Sequence, residues 1–311
     1  MSETNQTFNF YDQTYFKSYN LDKAIKYQLN LLDSLDLFTR KHCESVATIT
    51  CNLCKKLHLS RGFTEYCIIC AFLHDIGKLF VPSEVLQKPG KLTPEEYDII
   101  KTHTTLGYEL CMKDLKLRPY HAGAYYHHEA LDGTGYPQGL VQKDIPFEAQ
   151  IIRVADEYDA LVNKRQYKSH IGITDALKIL IENTKPSPNA PKHTGYSKAG
   201  KNNKKIVKKL LKVVIDDIEY EISLTCGYVE HLKNEIKRYE KIIYFQNKSE
   251  NTSKSQKKAY FEEYAKLYLQ KNETLDTFEQ LYQEALSAYE LRKNTISKLY
   301  TEIKNVKKLR V

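Results

Sequence analysis

Ala71-Phe72-Leu73-His74-Asp75-Ile76-Gly77-Lys78 is an apolar run that ends on an imidazole and a carboxylate side by side. The run reaches back to Phe63, and this much apolar surface predicts a central, buried helix over 63–73. Gly77 and Lys78 close it. A neutral imidazole offers a metal one ring nitrogen, and the neighbouring carboxylate has two oxygens, so it can also reach a second ion. One such pair means little, because most are solvated or satisfied by an ordinary hydrogen bond. Its meaning depends on which other donors the surrounding chain supplies.

Upstream, Ile25, Leu29, Leu32 and Leu35 have helical spacing and predict a helix over 21–37. Val46, Ile49, Leu53 and Leu57 predict a second, with Gly62 at the turn after it. Downstream, Thr93-Pro94-Glu95-Glu96 is a helix start: Thr93 can cap, Pro94 needs no amide partner, and Glu96 can reach back to the cap. That helix is predicted to carry His103, and another from about Pro119 to carry His127, His128 and Glu129. Asp132-Gly133-Thr134-Gly135-Tyr136-Pro137 has too many helix breakers to be anything but a tight loop. After Pro146 a helix to about Val162 puts Asp156 and Asp159 one turn apart on one face. Strand signals are weak throughout, so the fold class is all-α.

At 311 residues the chain can bury one sizeable core and a smaller second unit. It is 41% apolar with no run near 18 residues, so no membrane span is expected, and the first residues lack the pattern of a secretory signal. Seven cysteines in helical-looking segments fit a reducing cytoplasm. Cys51-x-x-Cys54 and Cys67-x-x-Cys70 imitate zinc spacing, but they lie in helices, where buried cysteine acts as a small hydrophobe. The formal charge of +8 is matched by the eight lysines between Lys192 and Lys212, where no acid occurs. These share a stretch rich in turn formers, read as a solvated linker over 185–203, and without interleaved aromatics no nucleic-acid partner is expected.

Residues 1–20 are polar with scattered rings and read as an arm. A helix capped by Thr174 ends near Thr184, and helix resumes at about Lys204. Val229, Leu232, Ile236, Tyr239 and Ile243 alternate steps of three and four, Asn247–Ser255 is polar, and from Phe261 to Val306 the apolar positions fit a heptad, with Lys271 and Arg292 as interruptions. This predicts C-terminal helices that fold back as a hairpin or pair with another chain. Tyrosines at inward positions favour the hairpin.

The candidate ligands are His42, His74, Asp75, His103, His127, His128 and Asp156. Five imidazoles and two carboxylates exceed one tetrahedral zinc site and suit two adjacent divalent ions such as iron or manganese, with a bridging carboxylate and a bridging water. Such a pair activates water and neutralises a phosphoryl group under attack. Lys78 could stabilise phosphate oxygens or protonate the leaving alkoxide.

These residues resemble a known family. His42, HDIGK at 74–78, His103, His127-His128-Glu129 with DGTGYP at 132–137, and Asp156 are similar to the HD-GYP group of the HD phosphohydrolase superfamily. KPGKLTPEEYDIIKTH (88–103), IPFEAQIIRVADEYDAL (145–161) and RQYK (165–168) agree. The likeness covers about 21–184, which implies a hydrolase domain there, with 204–311 completing it and then forming the hairpin or coiled coil. It implies an all-α enzyme that hydrolyses a cyclic dinucleotide, chiefly cyclic di-GMP, by in-line attack of a hydroxide held between metals. It makes the seven residues the metal ligands, with Asp75 bridging. Lys78 and Asp159 would flank the attacking water or leaving group, Arg165 and Lys168 would hold phosphates, and Tyr136 would line the site. Three-metal members carry a glutamate one turn before the first histidine. This chain has Phe38 there, which implies two ions and a linear dinucleotide product. The open alternatives are cyclic GMP-AMP or another nucleotide ester as substrate, and a weakly active signalling module that binds cyclic dinucleotide or a protein. No sensor domain is recognisable in the sequence, so regulation would fall to the arm, the C-terminal helices or expression.

Overall fold

The computed structural model describes residues 32, 34–163, 171–186 and 199–311, and divides the chain into two units, 1–214 with 308–311 and 215–307. The expected arm over 1–20, most of the helix over 21–37, most of the 185–203 linker, and both Arg165 and Lys168 lie outside the described residues. Among those described, every regular element is helical, with one isolated bridge between Asp132 and Val141. None of the described helices is long and apolar enough to cross a membrane.

In the first unit, α1 (Leu37–Lys56) starts where Asp36 accepts hydrogen bonds from the amides of Phe38 and Thr39 and, at 2.6 Å, from the Thr39 hydroxyl. α2 (Arg61–Leu73) is capped by Ser60 and buried from Cys67 to Leu73. It packs on α1 and stops at His74, after which Ile76–Phe80 winds into a tighter 3-10 turn. A side chain at Gly77 would collide with the His103 carbonyl, so glycine there lets the turn press against the next layer. The cysteines of both C-x-x-C pairs form no disulfide among the described residues and are buried in this core.

After the short α3 (Ser83–Leu86), α4 (Pro94–Lys101) begins with the expected capping box between Thr93 and Glu96. The single helix predicted to carry His103 is in fact two. The Thr102 hydroxyl donates to the Ile99 carbonyl and the His103 ring to the Ile100 carbonyl, which diverts acceptors from the ladder. α5 (His103–Lys113) therefore starts on the candidate ligand itself. α6 (His121–Tyr126) packs on α2 and α5 and ends just before His127. α7 (Phe147–Val162) packs on α1, α2 and α6, and α8 (Ile173–Glu182) covers its flank.

α9 (Lys204–Glu250) starts in the first unit and passes into the second at Ile215. There it joins α10 (Ser255–Lys266) and α11 (Phe278–Lys308) around Leu232, Tyr239, Ile242, Ala265, Phe278 and Ala285. The heptad reading carries one repeat through 261–306 with Lys271 and Arg292 as interruptions. The structure breaks it over 267–277, where Asn272 takes a left-handed φ of 78° and Glu273 turns to pair with Arg238.

Candidate metal centre

Helix ends and helix faces aim the imidazoles at one point. His74 sits at the end of α2, His103 at the start of α5, His127 and His128 just past α6, His42 on α1 and Asp156 on α7. The donor atoms form two trios, His42 with His74 and Asp75, and His103 with His127 and His128. Asp75 lies between them. One of its oxygens is 3.3 Å from His74 Nε2 and 3.6 Å from His42 Nε2, while the other is 3.4 Å from His103 Nε2 and 4.0 Å from His127 Nε2. Asp156 spans the trios as well, with one oxygen 3.0 Å from His42 Nε2 and the other 4.0 Å from His128 Nδ1.

Tautomers follow from the partners. The Nδ1–H groups of His74, His103 and His127 donate to the carbonyls of Ala71, Ile100 and Gly123 at 2.6, 2.6 and 2.8 Å, and a carbonyl can only accept. His42 Nδ1 donates to Asp159 at 2.7 Å. The rings of His74, His103 and His127 therefore turn a bare Nε2 lone pair inward. His103 and His127 bring theirs within 3.2 Å, while His74 Nε2 lies 3.4 Å from His42 Nε2. Two lone pairs at that range repel unless a cation sits between them. The spacing suits one, because ligands bonded at about 2.0–2.1 Å and about 90–110° apart lie roughly 3.0–3.4 Å from each other. The donor set fits a metal centre, and these groups can hold metal.

Charge agrees with that fit. Burial lowers His103 and His127 and pushes His128 down to about 3, which leaves neutral donors. Burial also works against ionising Asp75, yet Lys78 and His74 hold it well below the usual carboxylate range; His42 does the same for Asp156. Burial opposes a proton on His42 too, but its hydrogen bonds to Asp156 and Asp159 lift it to about 9. His42 would thus give up a proton to become a ligand.

Of the other expected site residues, Lys78 stands 2.5 Å from Asp75 on the 3-10 turn, and Tyr136 stacks on His128 with ring centres 4.7 Å apart. Asp159 was expected to flank the attacking water or leaving group; its two oxygens lie behind His42, accepting from its ring, from Ser45 Oγ and from Asn163 Nδ2. Although it shares α7 with Asp156, it acts on the site by orienting His42.

Several positioning residues escaped the sequence reading. Ser45 is three residues after His42 and Asn163 four after Asp159, so helical spacing was the available clue. The buried Glu129 accepts the amides of Gln138 and Leu140 at 2.7 and 2.8 Å and so clamps the 132–140 loop. Arg153 donates to the His128 carbonyl at 3.2 Å and to Asn202 at 3.0 Å, which no local pattern reveals.

Residues 26–186 match the family described as HD domain. The chain is 38% identical over 153 residues to a cyclic di-GMP phosphodiesterase of Thermotoga maritima, covering 48% of this chain and 42% of that one. It is 39% identical over 163 residues to a cyclic di-GMP phosphodiesterase response regulator of Xanthomonas campestris, covering 51% and 41%. It is 34% identical over 151 residues to a 3'3'-cGAMP-specific phosphodiesterase of Vibrio cholerae, covering 49% and 35%. The chain thus spans less than half the length of each of these relatives.

Proposed function

Because this chain belongs to the HD-domain family, and within it to the HD-GYP group, we propose that it is a metal-dependent phosphodiesterase that opens cyclic di-GMP to the linear dinucleotide. The observation that carries the reading is the placing of Asp75, one oxygen toward each histidine trio. We assign His42, His74, Asp75, His103, His127, His128 and Asp156 as ligands of two divalent ions, iron or manganese by the mix of imidazole and carboxylate. When bound, such ions supply a water acidic enough to attack near neutral pH and positive charge for the phosphoryl oxygens.

The chain's own groups do the rest. Asp159 fixes the His42 ring, and the carbonyls of Ala71, Ile100 and Gly123 fix the others. Water oxygen adds to phosphorus, the opposite ester bond breaks, and the departing alkoxide takes a proton. The Lys78 ammonium is suited to deliver that proton or to pair with a phosphoryl oxygen. Arg165 and Lys168 are assigned to hold phosphates, and Tyr136 to wall the site beside His128. Residues 21–184 would be the hydrolase domain, and the C-terminal helices would serve self-association or a protein partner.

Similarity to a 3'3'-cGAMP-specific enzyme supports a second substrate reading. The experiment is metal analysis plus product identification after anaerobic incubation with cyclic di-GMP, cyclic GMP-AMP and linear-nucleotide esters. Two ions per chain and linear dinucleotide from cyclic di-GMP are expected. Faster cleavage of linear esters would remove the cyclic dinucleotide, and three ions at full activity would overturn the two-ion assignment. A weakly active signalling module would instead keep its cellular effect after His74→Ala with Asp75→Ala.

A further inference from the structure

Beside the metal centre lies a cavity of about 480 Å³, lined by Phe38, His42, Lys78, Leu86, Gln87 and Ile100 among others. Its size falls in the range of small-molecule sites. Phe38 is large, apolar and 39% exposed in the first turn of α1. Asp36 accepts its backbone amide, so that turn is fixed before any ligand arrives. Phe38 and His42 are four residues apart, which places both on the same face of α1, about 6 Å apart along its axis. A ribose can span that distance. Gln87 closes another part of the cavity, and its side-chain amide has no hydrogen-bond partner among the described residues.

One chemistry uses all of these features. A flat heterocycle needs an aromatic face to lie on and a neutral amide at its edge, and a phosphate joined to it needs Lys78 and the metal centre. We propose that this cavity is the base subsite: a purine of the dinucleotide stacks on Phe38 with its edge read by Gln87, while its phosphate reaches Lys78. An amide both donates and accepts, so it can pair with either purine edge. The proposal rests on the phosphodiesterase reading above, and it turns the residue that is not a third metal ligand into a specificity determinant. A lone exposed phenylalanine is common on protein surfaces. Its place over a cavity that ends at His42 and Lys78 sets this one apart.

The test uses metal-loaded full chain, with KM and kcat for cyclic di-GMP, metal content and melting temperature for each variant. Phe38→Ala should raise KM about 5- to 150-fold, the value of one base on one ring, with kcat, metal content and melting temperature kept. Phe38→Tyr should stay within about threefold of wild type, since stacking survives. Gln87→Glu can only accept, which suits the N1–H and N2–H donors of guanine. It should therefore raise the ratio of the inhibition constant of AMP to that of GMP. An active wild type whose KM is unmoved by Phe38→Ala would overturn the base subsite and leave the phosphodiesterase reading standing. Loss of metal together with activity in Phe38→Ala would overturn it too, by making Phe38 structural. A metal-loaded wild type that cleaves no nucleotide ester would remove both.

Discussion

Each unit of the molecule holds a polar cluster, buried in the first and half-buried in the second, and the two are built in opposite ways. In the second unit, Arg238 donates to Glu273 through both terminal nitrogens at 2.6 and 2.8 Å, to Glu235 at 2.7 Å and to the Tyr268 carbonyl at 2.7 Å. Glu273 also accepts from Tyr239 at 3.0 Å. The fork's terminal donors meet acceptors, and the cluster closes the break between α10 and α11. In the first unit, the bare Nε2 atoms of His103 and His127 face one another at 3.2 Å with no proton to share. One cluster pairs its charges with its own residues, leaving Arg238 Nε without an acceptor among the described residues, and the other calls for ions. A buried polar group left unpaired costs roughly 1–3 kcal/mol, so leaving several together makes sense only where something binds.

The contrast breaks most visibly at the bridging carboxylate. Asp75→Ala should strip metal and lower activity on the order of a thousandfold, since both trios lose their shared oxygen donor. Elemental analysis beside a single-turnover assay checks this. Retained metal at two ions per chain would mean that the trios hold ions without it. Asp159→Asn comes next. The amide can still meet the His42 ring but no longer carries charge, so metal affinity should fall about 10- to 100-fold while the helices stay folded. A chelator titration followed by circular dichroism separates that outcome from simple unfolding.

How far the sequence showed this can be judged residue by residue. His74, Asp75, His127 and His128 were legible because such residue types at motif spacing are rare. The direction of Asp159 was not. A helical wheel puts it beside Asp156, and only the packing of α1 against α7 turns one carboxylate into the cluster and the other onto the back of His42. Lys271 marked an interruption, but the full break over 267–277 was hidden for a similar reason. Heptad spacing counts apolar positions and ignores that Asn272 accepts a left-handed φ or that Arg238 waits far away in sequence for Glu273. Local pattern reveals which groups are present, and long-range pairing decides what each group faces.

Arg238→Ala sharpens the other side of the comparison. It should destabilise the second unit by about 2–3 kcal/mol, the usual cost of removing hydrogen bonds to charged groups, and leave metal content unchanged. Urea unfolding reads the first effect and elemental analysis the second. A drop in metal content would show that the two clusters are coupled.

The smallest expected effect is a pH dependence confined to this charge-paired cluster. The Arg238 guanidinium, with the Gln270 amide and the Tyr239 hydroxyl, holds the Glu273 carboxyl down to about 2 against the opposing effect of burial, below an ordinary value of about 4.5. A carboxylate whose folded value is depressed adds stability that is complete above its unfolded value and lost as pH falls toward the folded one. The window is therefore about pH 4.5 down to about 2, and stability should decline with acid inside it. Glu273→Gln cannot titrate, so its melting temperature should start lower at neutral pH and converge on wild type as acid protonates Glu273. Parallel curves for the two proteins across that window would mean that the pairing with Arg238 carries no charge-dependent stability. The comparison would then rest on hydrogen bonding alone.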